Sequence, residues 1–231
     1  MQDMENENQW CFSWFAPRLA SSGQDRAALV KAAKWTAGDV ITISFLDGDD
    51  NVKEKVKKVA LSWTAPGMAR LTLDFRKDTN TLVRISFMYS GSWSVIGTTC
   101  KQLTDRTKPT MNFGWLTPAS SDAEVRRVVL HEFGHALGLI HEHQNPGGNI
   151  RWNRDAVIRD LSGPPNNWPL DVIEHNMFEP YKKAETNYTK LDGASIMMYP
   201  IPKTWTIGGF SVGLNGDLSP TDKSFIHSQY T

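Results

Sequence analysis

The hydrophobic residues of this chain follow two periods, and each period predicts a type of secondary structure. Apolar and polar residues alternate between Asp39 and Leu46, and β-branched residues are frequent there, which predicts a strand. Between Asn51 and Trp63 the apolar residues recur at helical spacing with lysines on the other face, which predicts an amphipathic helix. Three more short apolar segments predict strands, over residues 70–75, 82–89 and 110–115.

A second and longer helix is predicted to begin after Ser121. Ser121 and Glu124 have the Ser-x-x-Glu spacing of a capping box, in which each side chain binds the backbone N–H of the other residue. Apolar side chains then line one face of the predicted helix: Val125, Val128, Val129, Phe133, Ala136 and Leu137. A shorter helix is predicted over residues 153–161.

The composition is that of an ordinary globular protein and excludes several classes. The 231 residues carry 25 Lys and Arg against 25 Asp and Glu, so no net field favours nucleic acid, an anionic membrane or acidic substrates. No apolar run is long enough to span a bilayer, and no glycine-rich phosphate loop is present. The residues from Met1 to Asn8 are acidic and amide-rich, so they are not expected to act as a signal peptide.

The residues that carry chemistry lie between His131 and His143. His131 and His135 are four residues apart on the predicted helix, so both imidazoles project from one face and can reach one metal ion. Gly138 stands where the helix can end in a left-handed turn. The chain then doubles back, and His141 can supply a third nitrogen. Three protein ligands and one open position are typical of a catalytic zinc site.

Glu132 lies between the two helical histidines but off their ligand line. It is placed beside the metal, where it can take a proton from a metal-bound water. The whole stretch resembles the extended zinc motif of the metzincin peptidases, His-Glu-x-x-His-x-x-Gly-x-x-His, and the following Glu142 is similar to the astacin family in particular. The glycine and the third histidine make this match far more specific than His-Glu-x-x-His alone.

A second match to the astacin family lies further along the chain. The segment from Asp192 to Tyr199 resembles the astacin Met-turn, Ser-Ile-Met-x-Tyr. The resemblance implies that Met197 forms a hydrophobic floor beneath the zinc ligands. It implies that Tyr199 is an additional zinc ligand in the resting enzyme, which swings away to hydrogen-bond the oxyanion during turnover. It also implies a structural role for Glu142 and for the turn at Gly138.

The resemblance implies an α+β fold of the metzincin type. A twisted mixed sheet and two long helices, the second carrying the zinc motif, are expected in an N-terminal lobe at about 35–138. The C-terminal lobe, at about 139–231, is expected to be mostly irregular and to hold the Met-turn and a terminal helix. Together they form a single catalytic domain, 35–231. Residues 1–34 are interpreted as an N-terminal extension, either a pro-segment or a docking arm.

The implied function is that of a zinc-dependent endopeptidase that acts on protein or peptide substrates. One catalytic Zn²⁺ is held by His131, His135 and His141, and Glu132 is the general base for a metal-activated water. Tyr199 stabilises the oxyanion together with the zinc. A secreted monomer without a nucleic-acid partner or a membrane span is expected.

Two features of substrate binding are expected from the same resemblance. An antiparallel edge strand pairs with the substrate backbone, and it is formed by either residues 91–97 or residues 110–115. The segment 91–97 is similar to an astacin sequence in which a cysteine stands at the position of Ser92. The pocket beyond the scissile bond is expected to draw on residues 200–209, which include Lys203 and Trp205.

The sequence leaves four alternatives open. The chain could be a catalytically silent or latent zinc-binding module. It could be a toxin that acts by binding a partner. Glu174 or Glu185 could be the third zinc ligand, as in gluzincins. Cys11 could pair with Cys100, be buried, or place a thiolate on the zinc in a latent form.

Overall fold

The structure of the chain is a computed structural model that describes residues 11–14, 31–164, 166–180 and 187–231, with only the backbone described for 11–14. A six-stranded mixed sheet forms its centre. The strands are β1 (Cys11–Trp14), β2 (Val40–Phe45), β3 (Thr72–Phe75), β4 (Val83–Ser86), β5 (Ser92–Val95) and β6 (Met111–Phe113). The strand order is β1-β5-β6-β4-β2-β3, and every neighbouring pair is parallel except β5 and β6.

The strands predicted from alternation are therefore confirmed, with narrower bounds. β5 and β6 pair in antiparallel fashion; β5 lies next to the edge strand β1, and β6 lies inside the sheet between β5 and β4. The pairing of one of these segments with substrate stays a prediction. The outer side of β5 is covered by β1, which runs parallel to it with Cys11 opposite Ser92 and Trp14 opposite Val95.

Five α-helices are found among the described residues. They are α1 (Asp50–Ala60), α2 (Asp122–Ala136), α3 (Arg154–Ser162), α4 (Leu170–Ile173) and α5 (Pro220–Gln229). A 3₁₀ turn, Leu61–Thr64, extends α1, and a π-helical turn, Glu174–Phe178, extends α4. No helix in the described ranges is both long and apolar enough to cross a membrane.

The caps of the helices follow the sequence in part. The Ser121 hydroxyl accepts a hydrogen bond from the Glu124 N–H, as predicted for the start of α2. The reciprocal half of that capping box is absent, because the Glu124 carboxylate instead binds Trp115 Nε1 at 3.0 Å and forms a two-point ion pair with Arg127. A complete capping box does form at α5, between Ser219 and Asp222.

Two hydrophobic clusters form the interior of the described residues. The first lies between the sheet and the helices α1 and α2, includes the fully buried Trp63, and continues to Met197 and to Ile226 on α5. The second is built from α3, α4 and the segment around Ile201. Burying a large apolar side chain contributes about 1.5–3 kcal/mol. The α+β fold, with a mixed sheet and the two long helices α1 and α2 in its N-terminal part and a terminal helix at α5, is as expected.

Candidate metal centre

Two tryptophans hold the C-terminal half of the zinc-motif helix α2 in place. All residues from Leu130 to Ala136 are buried. Trp63 Nε1 donates to the Leu130 carbonyl at 3.0 Å, and Trp35 Nε1 donates to the Ala136 carbonyl at 2.9 Å. Each indole thus combines apolar packing with a satisfied hydrogen bond. The face of α2 that carries the histidines is therefore fixed in rotation.

Gly138 ends α2 in the left-handed conformation that the motif predicts, with φ of +95°. The Gly138 N–H donates to the His135 carbonyl at 2.8 Å, and the Leu139 N–H donates to the Gly134 carbonyl at 2.9 Å. This bond pattern is a Schellman motif, in which a residue other than glycine would cost about 1–2 kcal/mol. The turn brings the chain back, so that His141 faces the helix.

His131, His135 and His141 come together as the sequence predicts. Their candidate ligand atoms all lie within 4.8 Å of one another, and all three side chains are buried. His135 Nε2 and His141 Nε2 are 3.1 Å apart. Zn–N bonds of about 2.0–2.1 Å in tetrahedral geometry separate two ligand nitrogens by roughly 3.3 Å. The spacing of the two nitrogens therefore fits one zinc ion.

Backbone carbonyls orient two of these rings. His131 Nδ1 donates to the Ile196 carbonyl at 2.8 Å, and His135 Nδ1 donates to the Leu139 carbonyl at 2.9 Å. A proton on Nδ1 leaves the lone pair on Nε2, which is the tautomer a metal needs. His131 Nε2 is fully buried and has no hydrogen-bond partner among the described residues. A buried nitrogen without a partner fits a ligand to an ion.

The electrostatics favour neutral imidazoles. Burial holds the pKa of His131 and of His141 well below the usual value, and the neighbouring His135 lowers both further. Burial also lowers the pKa of His135 to about 4. Since only the neutral ring binds a metal, the ligand set is ready at neutral pH. The site is that of one catalytic zinc ion.

Glu132 is fully buried and lines a small cavity beside His131 and Tyr199. The other residues around this cavity are Arg127, Val128, Ile196, Met198, Pro200, Leu214 and Asn215. Of residues 200–209, only Pro200 lines this cavity. Trp205 turns into the core of the C-terminal lobe, where its Nε1 donates to Asp160 at 2.8 Å.

The Met-turn passes beneath α2. Met197 is buried, and a β-carbon built on Gly134 would lie 2.4 Å from the Met197 sulfur, so the side chain packs directly on the helix backbone. Asp222, at the start of α5, accepts hydrogen bonds from Ser195 Oγ at 2.6 Å and from the Ile196 N–H at 2.9 Å. Asp222 therefore holds the turn whose carbonyl orients His131. Sequence reasoning did not single it out, although its position in a cap was visible.

Tyr199 is buried, and its ring packs on the ligand histidines. Its centroid lies 4.2 Å from that of His141 and 6.2 Å from that of His131. A further ring, His143, was not predicted as a site residue. It stacks on Tyr199 with centroids 4.6 Å apart and an angle of 26° between the planes.

Glu142 faces away from the histidines. Its Oε1 accepts hydrogen bonds from Asn145 Nδ2 and from the Asp192 N–H, both at 2.9 Å, which ties the zinc loop to the Met-turn segment. Burial raises its pKa to about 7. Glu142 also lines a cavity with Asp222 and Tyr230. Its contacts are those of a residue that joins two parts of the backbone.

The alternative ligands stand apart from the cluster or outside the described residues. Glu174 forms an ion pair with Arg154 in the C-terminal lobe. Glu185 and the side chain of Cys11 lie outside the described residues. Cys100 is a buried free thiol whose pKa burial raises to about 12. The third member of the histidine cluster is His141.

The fold and the site together define a metallopeptidase of the metzincin class, and comparison with known proteins narrows this class to a family. The solved structure of myroilysin matches with a TM-score of 0.84 and 41% identity, covering 87% of this chain and 97% of that one. Zinc metalloproteinase nas-38 of Caenorhabditis elegans is 24% identical over 169 residues. High choriolytic enzyme 1, a hatching enzyme zinc-protease of the medaka fish Oryzias latipes, shares the fold with a TM-score of 0.53 and 19% identity. No family model matches the sequence.

The chain belongs to the astacin family of zinc metalloproteinases. The match to nas-38 spans 68% of this chain but only 21% of the relative, and the match to nas-19 of the same organism spans 72% and 36%. The chain thus corresponds to about a fifth to a third of the length of these curated relatives.

Proposed function

We propose that the chain is a zinc-dependent endopeptidase that hydrolyses peptide bonds of protein substrates. The convergence of three neutral, buried imidazoles beside the fully buried Glu132 supports this function most strongly. A zinc site with a purely structural role needs no buried carboxylate, so the geometry favours catalysis over a silent binding module. Chelator-sensitive hydrolysis of a denatured protein tests the proposal.

In this proposal the histidines hold the zinc, and Tyr199 joins them in the resting state. Bound zinc supplies a Lewis acid that acidifies water and polarises a carbonyl. With zinc bound, Glu132 would take the proton of the attacking water. The Tyr199 hydroxyl would donate a hydrogen bond to the oxyanion that this attack forms. Glu132 would then pass the proton to the amine as the C–N bond breaks. Glu132 and Tyr199 are buried, so little water competes with their electrostatic interactions, which are therefore stronger than at an exposed site.

Three further residues support the site in this account. Met197 forms the apolar floor beneath the histidine face of α2, in contact with Gly134. Gly138 provides the turn that returns the chain. Glu142 joins the zinc loop to the Met-turn segment through the Asp192 N–H. Each acts on the position of the ligands and not on the substrate.

Replacing Tyr199 with phenylalanine is expected to lower kcat by about 10²–10³-fold, the usual effect of removing one oxyanion donor. The ring keeps its packing on His141, so the zinc content and the melting temperature should stay those of the parent chain. Steady-state kinetics and metal analysis of the same preparation check this. Unchanged turnover would leave Tyr199 a packing role alone.

We also propose that residues 1–34 are an extension that docks on a catalytic domain of residues 35–231. The pairing of β1 with the outer side of β5 supports this, because an edge strand is where an extended substrate adds to a sheet. Substrate would then have to displace β1. The domain is proposed to act as a secreted monomer.

Removing residues 1–30 is expected to raise peptidase activity by roughly tenfold or more, since a tethered segment competes at an effective concentration near the millimolar range. The chain should be cut before Lys31 and not at Trp35, because the Ala33 carbonyl accepts a hydrogen bond from the Thr98 N–H at 2.8 Å. Removal of residues 1–10, which keeps β1, is the control. Equal activity of all three chains would argue against competition at β5.

A further inference from the structure

His143 lies two residues beyond His141, and it is 5% exposed. We propose that His143 is a positioning residue for Tyr199, holding the phenol ring in the place from which its hydroxyl serves the reaction. This inference rests on the proposed function of Tyr199. In this proposal His143 binds neither the metal nor the substrate, and it acts only through Tyr199.

The contact between the two rings is specific in distance and in angle. His143 and Tyr199 have centroids 4.6 Å apart and planes 26° from parallel, and His143 is also 5.5 Å and 22° from His141. Offset stacks of this kind contribute about 0.5–1.5 kcal/mol beyond the buried area. A ring stacked in this way resists tilting and leaves sliding within its own plane as the easier motion. Tyr199 therefore keeps one plane while its hydroxyl moves.

The His143 ring is itself anchored from the C-terminal lobe. Its Nε2 donates to the Asn176 carbonyl at 2.6 Å, and Asn176 Nδ2 donates to the Val172 carbonyl at 2.8 Å. Trp152 approaches the His143 ring edge-on with centroids 6.1 Å apart. These contacts fix the plane of the imidazole. The orientation of Tyr199 is thereby tied to helix α4 and its π-helical turn.

A histidine at this position carries a cost that a plain packing residue would not. His143 Nδ1 is fully buried and has no hydrogen-bond partner among the described residues. A buried polar atom of this kind costs about 1–3 kcal/mol. An apolar aromatic residue would stack without that cost but could not donate to the Asn176 carbonyl. The anchored stack explains why an imidazole is present.

Two variants separate the ring from the hydrogen bond. His143→Phe keeps the stack and loses the anchor, and His143→Gln keeps a donor and loses the stack. Each is made in the full zinc-loaded chain, with and without Tyr199→Phe, and His227→Gln on the exposed side of α5 is the surface control. Three quantities are measured: kcat with KM, the dissociation constant of a phosphinic peptide by calorimetry, and the zinc content with the melting temperature.

His143→Gln is expected to lower kcat about tenfold or more and to weaken phosphinic peptide binding, with KM changed less than about threefold. His143→Phe should recover most of that loss. In the Tyr199→Phe background, His143→Gln should have little further effect, because residues that act through one group are not additive. Zinc content should stay at one per chain throughout.

Two results would overturn the inference, and they differ from each other. If His143→Gln lowered kcat in the Tyr199→Phe background as much as in the parent chain, or if it released zinc, His143 would not act through Tyr199. The role of Tyr199 itself would remain intact. No effect of Tyr199→Phe on kcat or on phosphinic peptide binding would remove the role of Tyr199 and of His143 together. The proposed peptidase function would then still be tested by the Glu132→Gln variant.

Discussion

Replacing Glu132 with glutamine is expected to lower kcat/KM by about 10²–10⁴-fold, the usual worth of a general base, while zinc stays bound. The amide has nearly the same shape as the carboxylate but cannot accept the proton of the attacking water. Glu132 is fully buried beside His131, so a base from the solvent cannot easily take its place. The result is read from hydrolysis rates and from the zinc content of the same preparation.

The matched control is Glu54→Gln on α1, where the glutamate is exposed and pairs only with Lys57 in the contacts described. Its kinetics should equal those of the parent chain. If Glu132→Gln retained more than about a tenth of the parent rate with zinc in place, the assignment of the general base would be wrong. If zinc were lost instead, Glu132 would have a role in holding the site.

Replacing His141 with alanine is expected to weaken zinc binding by more than about 100-fold, since even residues that only orient ligands contribute about 10–100-fold. His135 Nε2 would lose the nitrogen that lies 3.1 Å away, and the cluster would fall to two histidines. Zinc would then raise the melting temperature much less, because stabilisation by a ligand depends on its concentration relative to its dissociation constant.

Metal titration followed by thermal unfolding measures this directly. His227→Ala provides the control, as His227 is exposed on α5 and its ring contacts only the Met68 carbonyl at 3.4 Å among the hydrogen bonds described. Full zinc occupancy in His141→Ala would contradict the three-histidine assignment. Loss of zinc in both variants would point to general destabilisation.

The elements that could be predicted from the sequence are those set by local periodicity. Helix α2 was predictable because its apolar stripe, its Ser121 cap and the glycine at 138 all lie within one stretch of chain. The histidine cluster followed for the same reason, since two of its members share a helix face and the third is three residues past the turn. Local sequence patterns are therefore enough to predict these elements without information on contacts between distant parts of the chain.

Long-range contacts could not be predicted from the same patterns. The place of β1 next to β5 depends on hydrogen bonds between segments far apart in the chain, which period and composition do not encode. The sequence left the direction of the Trp205 side chain open; the structure buries it in the core, where its indole donates to Asp160 on α3. His143 was visible in the motif, but only the fold shows that it stacks on Tyr199.

The most direct measurement is the hydrolysis of a denatured protein by the purified chain, before and after treatment with a chelator, and again after zinc is restored. The account predicts cleavage that the chelator abolishes and that about one zinc per chain restores. The assay is run on the full chain and on the chain that starts at Lys31, so that a covering extension does not mask activity. Cleavage that persists after the metal is removed would contradict the account. So would the lack of cleavage by both chains when each has one zinc bound.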